Sequence, residues 1–243
     1  MKLLIIRHGD PDYEHDSLTP QGEKEARCLA ARLLKLEIDR VYVSSLGRAL
    51  KTAKFYMDAS ERSADGICDW LQEFRGRCIR PDAAKEQICW DWLSEDWTGF
   101  MPFYDKDHWF EHPLFKGTNV KSEYDLVTAG LDELLASCGY VREGMVYRVN
   151  NANNDTVALF CHFGVESVIL SHLLGASPML LWHGTAAAPT SVTTVVTEER
   201  RQGTASWRIL SYGDVSHLYA FGIEPSFSAR FCECFANSDE RHD

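Results

Sequence analysis

Two histidines and two arginines follow short apolar segments of this chain, at positions where their side chains could bind one anion. They are Arg7, His8, Arg48 and His162. Guanidinium groups bind phosphoryl oxygens in pairs and keep their charge at every accessible pH. A neutral imidazole, with an ordinary pKa of about 6.5, is a competent nucleophile toward phosphorus near neutral pH. These residue types therefore predict a site for a dianionic phosphoryl group and a covalent phosphohistidine.

The segments that precede these residues are typical of strands buried in a parallel sheet. Residues 3–6, 40–45 and 156–161 are short and rich in apolar side chains, and a helical pattern follows each of them. Because sites in open α/β sheets form outside the carboxyl ends of the strands, we expect the basic side chains to converge there. The helix after His162 could add backbone N–H donors, among them that of Phe163.

The whole pattern predicts an α/β fold, a three-layer α/β/α sandwich with a mostly parallel central sheet. We expect one domain over residues 1–243, with residues 75–121 inserted as a largely helical cap. Apolar spacing and end signals such as Thr19-Pro20 and Gly175 indicate four helices, and alternation after residue 190 indicates an antiparallel pair. The helices are expected at 20–36, 48–56, 122–138 and 165–174, and the pair at 191–197 and 205–211, with a turn at 198–203.

Several motifs resemble the histidine phosphatase (phosphoglycerate mutase-like) superfamily, in the order expected for that family. They are Leu4-Ile5-Ile6-Arg7-His8-Gly9, Ser44-Ser45-Leu46-Gly47-Arg48-Ala49-Leu50-Lys51-Thr52-Ala53, Trp70-Leu71-Gln72-Glu73-Phe74-Arg75-Gly76, Phe160-Cys161-His162-Phe163-Gly164 and Asp214-Val215-Ser216-His217-Leu218. Ser45 stands where the family has proline, Lys51 stands where it has glutamine, and the loop after Gly9 lacks the asparagine that often touches phosphate. His217 is treated as structural by default.

The resemblance implies a role for each residue of the site. His8 would be the nucleophile, while Arg7, Arg48, His162 and the Phe163 backbone would bind the phosphoryl oxygens. Glu73 would be the general acid and base, with Asp69 and Glu95 as competing candidates. The implied activity is a metal-independent hydrolysis of a small phosphomonoester, with no cofactor.

Three other functions stay open at this point. A phosphoglycerate-type mutase would share the phosphohistidine, and a binding member of the fold would lack activity. A metal-dependent hydrolase could use the acidic loop at residues 10–16. His108 with His112, and Cys232 with Cys234, are weaker metal candidates, because each pair lacks further ligands.

Composition limits the partners and the compartment. The formal net charge is -11 over 243 residues, and the isoelectric point is near 5.3, which argues against nucleic acid or an anionic membrane as the main partner. The start of the chain does not resemble a signal peptide, and the eight cysteines are scattered as in reduced proteins, so we expect a cytoplasmic enzyme of a small phosphorylated substrate. Oligomeric state is not predicted. The aromatic-rich segment from Trp90 to Phe110 is read as a subdomain core, or as a wall for an apolar leaving group.

Overall fold

The computed structural model describes residues 1–234 and residue 236 of the chain. Seven α-helices lie within these residues: α1 Pro20–Leu33, α2 Gly47–Ala59, α3 Ser94–Trp97, α4 Val120–Ser137, α5 Phe163–Leu174, α6 Pro178–Gly184 and α7 Ser216–Ala220. The strands in the same range are β1 Lys2–Arg7, β2 Pro11–Asp12, β3 Ser17–Leu18, β4 Arg40–Ser44, β5 Gly66–Cys68, β6 Arg77–Cys78, β7 Gln87–Ile88, β8 Tyr140–Glu143, β9 Val146–Val149, β10 Thr156–Cys161, β11 Val192–Arg201 and β12 Thr204–Asp214.

The central sheet is mixed and contains eight strands within the described range, in the order β5-β4-β10-β1-β11-β12-β9-β8. The pairs β4–β5, β10–β4 and β1–β10 are parallel. The remaining pairs, from β1–β11 to β8–β9, are antiparallel. The parallel half thus carries the three strand ends that the sequence analysis singled out.

Alternating side chains of β1 belong to two separate cores, one on each face of the sheet. Leu3 and Ile5 pack in one core with residues of α4 and α5. Leu4 and Ile6 pack in the other core with residues of α1 and α2. A strand buried on both faces needs apolar side chains in both directions, which explains its unbroken apolar run. The predicted α/β/α layering is confirmed, but the sheet is mixed and not mostly parallel, because four of its seven strand pairings among the described residues are antiparallel.

Several element boundaries differ from the predicted ones. Helix α1 is capped by Thr19, whose hydroxyl accepts from the Gly22 N–H, but it ends at Leu33 and not near residue 36. The hairpin of β11 and β12 continues to a tight turn at residues 202–203, so residues 198–201 are strand and not turn. The hairpin of β8 and β9 extends the antiparallel half and was not predicted, because its strands are only four residues long.

The segment 75–121 contains short helical turns and a small hairpin, and not the largely helical cap that was predicted. The turns are α3 and the 3-10 helices Met101–Tyr104, Trp109–Glu111 and Pro113–Phe115, and the hairpin is β6 with β7. Prolines at the starts of two turns end any helix that precedes them, which divides the segment into short pieces. Phe103, Trp109 and Phe115 are buried in the core that also contains α5.

Among the described residues no helix is both long and apolar enough to cross a membrane. Five of the eight cysteines are buried, at positions 28, 78, 89, 138 and 161.

Candidate active site

The two histidines of the motifs lie side by side at the carboxyl ends of adjacent parallel strands. Arg7 ends β1 and pairs in register with Cys161, the last residue of β10. His8 and His162 follow these residues, and their ring centroids are 4.9 Å apart. The His8 N–H donates to the Cys161 carbonyl oxygen at 3.1 Å. The convergence expected from the strand pattern is therefore present in the fold.

The hydrogen bonds of His8 determine which ring nitrogen carries a lone pair. Nδ1 lies 2.7 Å from the Gly9 carbonyl oxygen, an acceptor, so Nδ1 carries the proton. Nε2 then accepts from Arg48 Nε at 3.3 Å. Burial, and then the charges of Arg7 and Arg48, hold the pKa of His8 well below its ordinary value of 6.5. The ring is therefore a neutral imidazole whose unprotonated nitrogen faces the arginine.

The loop after His8 is held close to helices α1 and α2. The Gly9 N–H donates to Thr52 Oγ1 at 3.0 Å, which gives the threonine of the second motif a structural role. A methyl group on Gly9 would lie only 2.7 Å from the Gly22 carbonyl oxygen. Glycine at position 9 thus allows the backbone of the loop to contact the first helix.

Arg48 is held in place by Asp16, a residue whose role was not predicted. Its Nη1 lies 2.6 Å from Asp16 Oδ1, and Asp16 Oδ2 accepts from the Gly47 N–H at 2.6 Å. The carboxylate therefore bridges the start of α2 and the arginine side chain that α2 carries. The only feature of the sequence that points to Asp16 is the acidic character of its loop, and that feature suggested a metal site and not a partner for Arg48.

The Arg7 guanidinium is buried beside the histidines. Its Nη1 donates to the carbonyl oxygen of Ala187 and, at 3.4 Å, to that of Ala229. Its Nε is buried and has no hydrogen-bond partner among the described residues. The side chain is 2% exposed, so its charge acts in a medium of low polarity, where it attracts an anion strongly.

His162 is oriented by Ser44, at the end of β4. Ser44 Oγ lies 2.9 Å from His162 Nε2, and the same oxygen accepts from the Leu46 N–H. With the serine hydroxyl as donor to Nε2, the proton of His162 resides on Nδ1, which is buried without a partner among residues 1–234 and 236. Burial and the neighbouring His8, Arg48 and Arg7 lower the pKa of His162 well below 6.5.

Helix α5 begins directly at this histidine. His162 is the N-cap and Phe163 the first helical residue, so the free N–H groups of the first turn lie next to the two imidazoles. These groups and the helix dipole favour an anion at this end. Gly175, with a φ of 66°, ends the helix as predicted.

The predicted acid, Glu73, lies beside the same helix start. Its Oε1 accepts from the Phe74 N–H at 2.8 Å. A methyl group on Gly164 would lie 2.5 Å from this oxygen, so the third residue of the His-Phe-Gly motif must be glycine for Glu73 to approach. Burial raises the pKa of Glu73, although Arg7 and Arg48 oppose the shift. A carboxyl group of this kind can donate a proton closer to neutral pH than an exposed one.

The two departures from the family motif have structural explanations. Ser45 Oγ donates to Asp69 Oδ1 at 2.5 Å and accepts from Gln72 Nε2 at 2.6 Å, which ties the end of β4 to the segment before Glu73. Lys51 forms an ion pair of 2.7 Å with Glu23 of α1. The competing acid Asp69 is therefore engaged by Ser45, and Glu95 lies apart in α3.

Residues near the carboxyl terminus also contact the loop that follows His8. No local sequence pattern predicted this contact. The hydroxyl groups of Ser226 and Ser228 both donate to Asp10 Oδ1. Glu25 accepts from the Asp10 N–H at 3.0 Å and from the Ser226 N–H at 2.9 Å. We call residues 224–234 the C-terminal strap. It joins the first loop of the chain to a segment more than 200 residues later.

A comparison of sequences places these residues in a known family. Residues 3–85 match the sequence profile of the Histidine phosphatase superfamily (branch 1). The profile covers about a third of this chain, so that part of the chain is similar to this superfamily. A protein of Schizosaccharomyces pombe, named as a probable phosphatase, is 30% identical over 82 residues, which cover 30% of this chain and 39% of that protein. This chain therefore aligns with less than half the length of the curated relative.

Solved structures with histidine phosphatase folds cover more of the chain. A phosphoserine phosphatase from Entamoeba histolytica, in complex with phosphoserine, has 20% identity and a TM-score of 0.57, covering 89% of this chain and 98% of that one. A mycobacterial glucosyl-3-phosphoglycerate phosphatase has 17% identity and a TM-score of 0.57, covering 87% and 98%. At these identities the likeness shows the fold.

His217, from the last of the five motifs, supports the backbone of His8. His217 Nε2 lies 3.2 Å from Thr190 Oγ1, and the Thr190 N–H donates to the His8 carbonyl oxygen at 3.0 Å. Burial lowers the pKa of His217 to about 4, so this ring is neutral as well. His217 therefore contacts the site through one intermediate residue, in keeping with its predicted structural role.

The metal candidates of the sequence analysis do not converge. Asp12 pairs with His15, whereas Asp10 and Asp16 bind other partners. His108 pairs with Glu111, and the His112 ring stacks on Phe103, because residues 109–111 form a 3-10 turn and not an α-helix. Among the described residues no group of three or more His, Cys, Asp or Glu side chains could hold a metal ion.

A buried carboxyl group of α5 was missed by the sequence analysis. Glu166 is fully buried one helical turn after His162, and its N–H donates to the His162 carbonyl oxygen at 2.9 Å. Burial raises the pKa of Glu166 to about 7, although the nearby Thr193 hydroxyl and Arg7 guanidinium oppose the shift. No motif marked this residue, because its neighbours in sequence are ordinary apolar helix residues.

Proposed function

We propose that this protein is a phosphatase that hydrolyses a small phosphomonoester through a phosphohistidine on His8. The observation that carries the proposal is the state of His8, a buried neutral ring with Nδ1 bonded to the Gly9 carbonyl oxygen and Nε2 unprotonated beside Arg48. Such a nitrogen can attack phosphorus without first losing a proton. The proposal requires no metal and no cofactor.

In the first step, His8 Nε2 attacks phosphorus in line with the leaving oxygen. The N–P bond forms as the P–O bond to the alcohol breaks, and Glu73 donates its proton to the departing oxygen. Arg7, Arg48, His162 Nδ1–H and the Phe163 N–H bind the three other oxygens. Arg48 Nε leaves Nε2 for a phosphoryl oxygen as the substrate enters. Once the substrate is bound, these donors stabilise the transition state without further reorganisation.

In the second step, Glu73 accepts a proton from a water molecule that attacks the phosphohistidine. The new P–O bond forms as the N–P bond breaks, which releases inorganic phosphate and restores neutral His8. The cycle leaves every residue in its starting protonation state. We further propose that residues 1–243 form one domain in which residues 75–121 cover the carboxyl ends of the parallel strands.

The test is a search for the covalent intermediate. The wild type, incubated with 4-nitrophenyl phosphate and quenched rapidly, is expected to yield an acid-labile, base-stable phosphoryl adduct on His8. His8→Ala should lose the adduct and nearly all turnover. His15→Ala is the matched control, because that histidine is exposed in the same loop, and it should keep both. Turnover that survives in His8→Ala, or that a chelator abolishes and a divalent ion restores, would reject the mechanism.

A further inference from the structure

Three aromatic rings from distant parts of the chain pack together over the end of β10. The Trp90 and Phe163 centroids are 5.6 Å apart, those of Phe163 and Phe231 are 5.5 Å apart, and those of Trp90 and Phe231 are 6.1 Å apart. Trp90 comes from the cap segment, Phe163 follows His162, and Phe231 comes from the C-terminal strap. We call these three rings the aromatic triad.

The triad lies next to the carboxyl group proposed to protonate the leaving group. A methyl group on Gly164 would lie 2.5 Å from Glu73 Oε1 and 3.1 Å from Trp90 Nε1, so both atoms lie beside the same backbone carbon. Trp90 Nε1 is buried and has no hydrogen-bond partner among the described residues. An indole N–H is usually bonded when it is buried. This donor therefore points to a polar ligand atom close to Glu73.

Phe231 also lines a cleft. The cleft has a volume of about 570 Å³, and its walls include Trp97 and Trp182. Among the described residues that line it there is no lysine or arginine, and its carboxylate Asp91 is paired with Arg80 at 3.4 Å. His183 also lines it, and burial lowers the pKa of that ring to about 4, so it adds no positive charge near neutral pH. The cleft suits an apolar or aromatic group and disfavours an anion.

The C-terminal strap holds Phe231 in this position. Ser226 and Ser228 are bonded to Asp10, and the Ala229 carbonyl oxygen accepts from Arg7. Ala229 and Phe231 have φ values of 51° and 55°, in the left-handed region that residues with side chains adopt at a cost. The contacts with Asp10 and Arg7 therefore hold a strained backbone, and this backbone places the Phe231 ring against Trp90 and Phe163.

We propose that Trp90, Phe163 and Phe231 form the leaving-group subsite of the phosphatase. The subsite accepts the ring or apolar chain of a phosphomonoester whose alcohol carries no second anionic group, and Trp90 Nε1 donates to the leaving oxygen beside Glu73. The inference rests on the proposed function. It separates this chain from the relatives named for phosphoserine and for glucosyl-3-phosphoglycerate, because the alcohols of those substrates contain a carboxylate.

The test compares 2-naphthyl phosphate, glycerol 2-phosphate and 3-phosphoglycerate as substrates of the wild type and of Phe231→Ala. The wild type should have a kcat/KM for the naphthyl ester at least tenfold above that for 3-phosphoglycerate. Phe231→Ala should lower kcat/KM for the naphthyl ester about tenfold, a loss typical of one buried aromatic contact, and change glycerol 2-phosphate little. Phe221→Ala, which truncates an exposed ring before the strap, should change neither.

Two further variants separate the subsite from folding. Phe231→Leu keeps most of the volume and should give an intermediate naphthyl preference, even if Phe231→Ala is unstable. Trp90→Phe keeps a ring but removes the N–H, and should lower kcat with little change in KM. A His8 adduct together with a preference for 3-phosphoglycerate, or with an unchanged preference in Phe231→Leu and Phe231→Ala, would overturn the subsite and leave the phosphatase proposal intact. Absence of the His8 adduct would instead reject the proposed function.

Discussion

Asp16 Oδ1 lies 2.6 Å from Arg48 Nη1, and the arginine in turn donates from Nε to His8 Nε2. The Asp16 side chain is 42% exposed and the Arg48 side chain is 10% exposed, so the pair lies at the edge of the buried site. The chain Asp16–Arg48–His8 connects the first loop, the second helix and the proposed nucleophile. It makes Asp16 a positioning residue for the phosphoryl site.

Asp16→Ala should therefore weaken phosphoryl binding. We expect kcat/KM for an aryl phosphate to fall about tenfold and the inhibition constant for inorganic phosphate to rise by a similar factor, because Arg48 loses its fixed partner. Asp16→Asn, which keeps an oxygen acceptor, should recover part of the loss. Asp12→Asn is the control, since that carboxylate pairs with His15 alone among side chains of the described residues. An unchanged phosphate inhibition constant in Asp16→Ala would refute this role.

Ser44→Ala should disturb His162 without removing it. Ser44 Oγ lies 2.9 Å from His162 Nε2, and a hydroxyl that donates to this nitrogen keeps the proton on Nδ1. Without it, the ring can adopt the other tautomer, and we expect kcat to fall about tenfold, as for the loss of one oriented donor. Steady-state kinetics and the phosphorus or nitrogen NMR signals of the site would measure this. Ser122→Ala, at an exposed position in α4, should leave kcat unchanged.

Gly164→Ala should displace Glu73 from the site. The added methyl group would meet the Glu73 carboxyl oxygen at 2.5 Å and the indole of Trp90 at 3.1 Å. We expect kcat to fall at least 100-fold, and the melting temperature to drop by several degrees, as for an overpacked core position. Gly99→Ala is matched to it, because a methyl group there meets no atom within 4 Å. Equal kinetics in the two variants would contradict the assigned place of Glu73.

Glu166→Gln should stabilise the protein in alkaline but not in acidic solution. The pKa of Glu166 is raised from 4.5 to about 7 in the folded protein, so the native state binds more protons than the unfolded state between these values. The loss of unfolding free energy caused by ionisation of Glu166 is small at pH 5 and reaches its full value above pH 7. We expect the gain in unfolding free energy to be about 2 to 3 kcal/mol larger at pH 8.5 than at pH 5. Urea titrations at both pH values would measure it.

The control for that experiment is Glu133→Gln, at an exposed position of α4. Its effect on the unfolding free energy should be similar at the two pH values. A Glu166→Gln variant that is stabilised equally at pH 5 and pH 8.5 would show that the carboxyl group does not titrate in this range.

The pH dependence of turnover should have its maximum on the acid side of neutrality. The pKa of His8 lies well below 6.5, so the nucleophile stays neutral as the solution is acidified through that value. The pKa of Glu73 is raised, so its acid form persists above its ordinary range. We expect kcat for 4-nitrophenyl phosphate at pH 5.5 to equal or exceed that at pH 7.5. An unperturbed histidine would be mostly protonated at pH 5.5. A tenfold lower kcat at pH 5.5 than at pH 7.5 would therefore contradict the assigned states of His8 and Glu73.

The sequence by itself determined the parallel half of the sheet and the residues at its edge. Unbroken apolar runs are required where a strand is buried on both faces, so β1, β4 and β10 could be located, and with them Arg7, His8 and His162. The helix signals around Thr19 and Gly175 act through neighbouring residues, which is why α1 and α5 were placed to within a few residues.

Only the tertiary structure decided how these residues are supported and what surrounds them. Ser226 donates a hydrogen bond to Asp10 across a separation of 216 residues, and the Phe231 ring packs on Phe163 from another distant segment. No periodic pattern in the sequence predicts either contact. The sequence does not distinguish Asp16 from the other acids of its loop, and only the fold places it beside Arg48. Local propensity describes the backbone near each residue, whereas the packing of distant segments determines which acids are buried, which donors lack partners and which rings surround the leaving group.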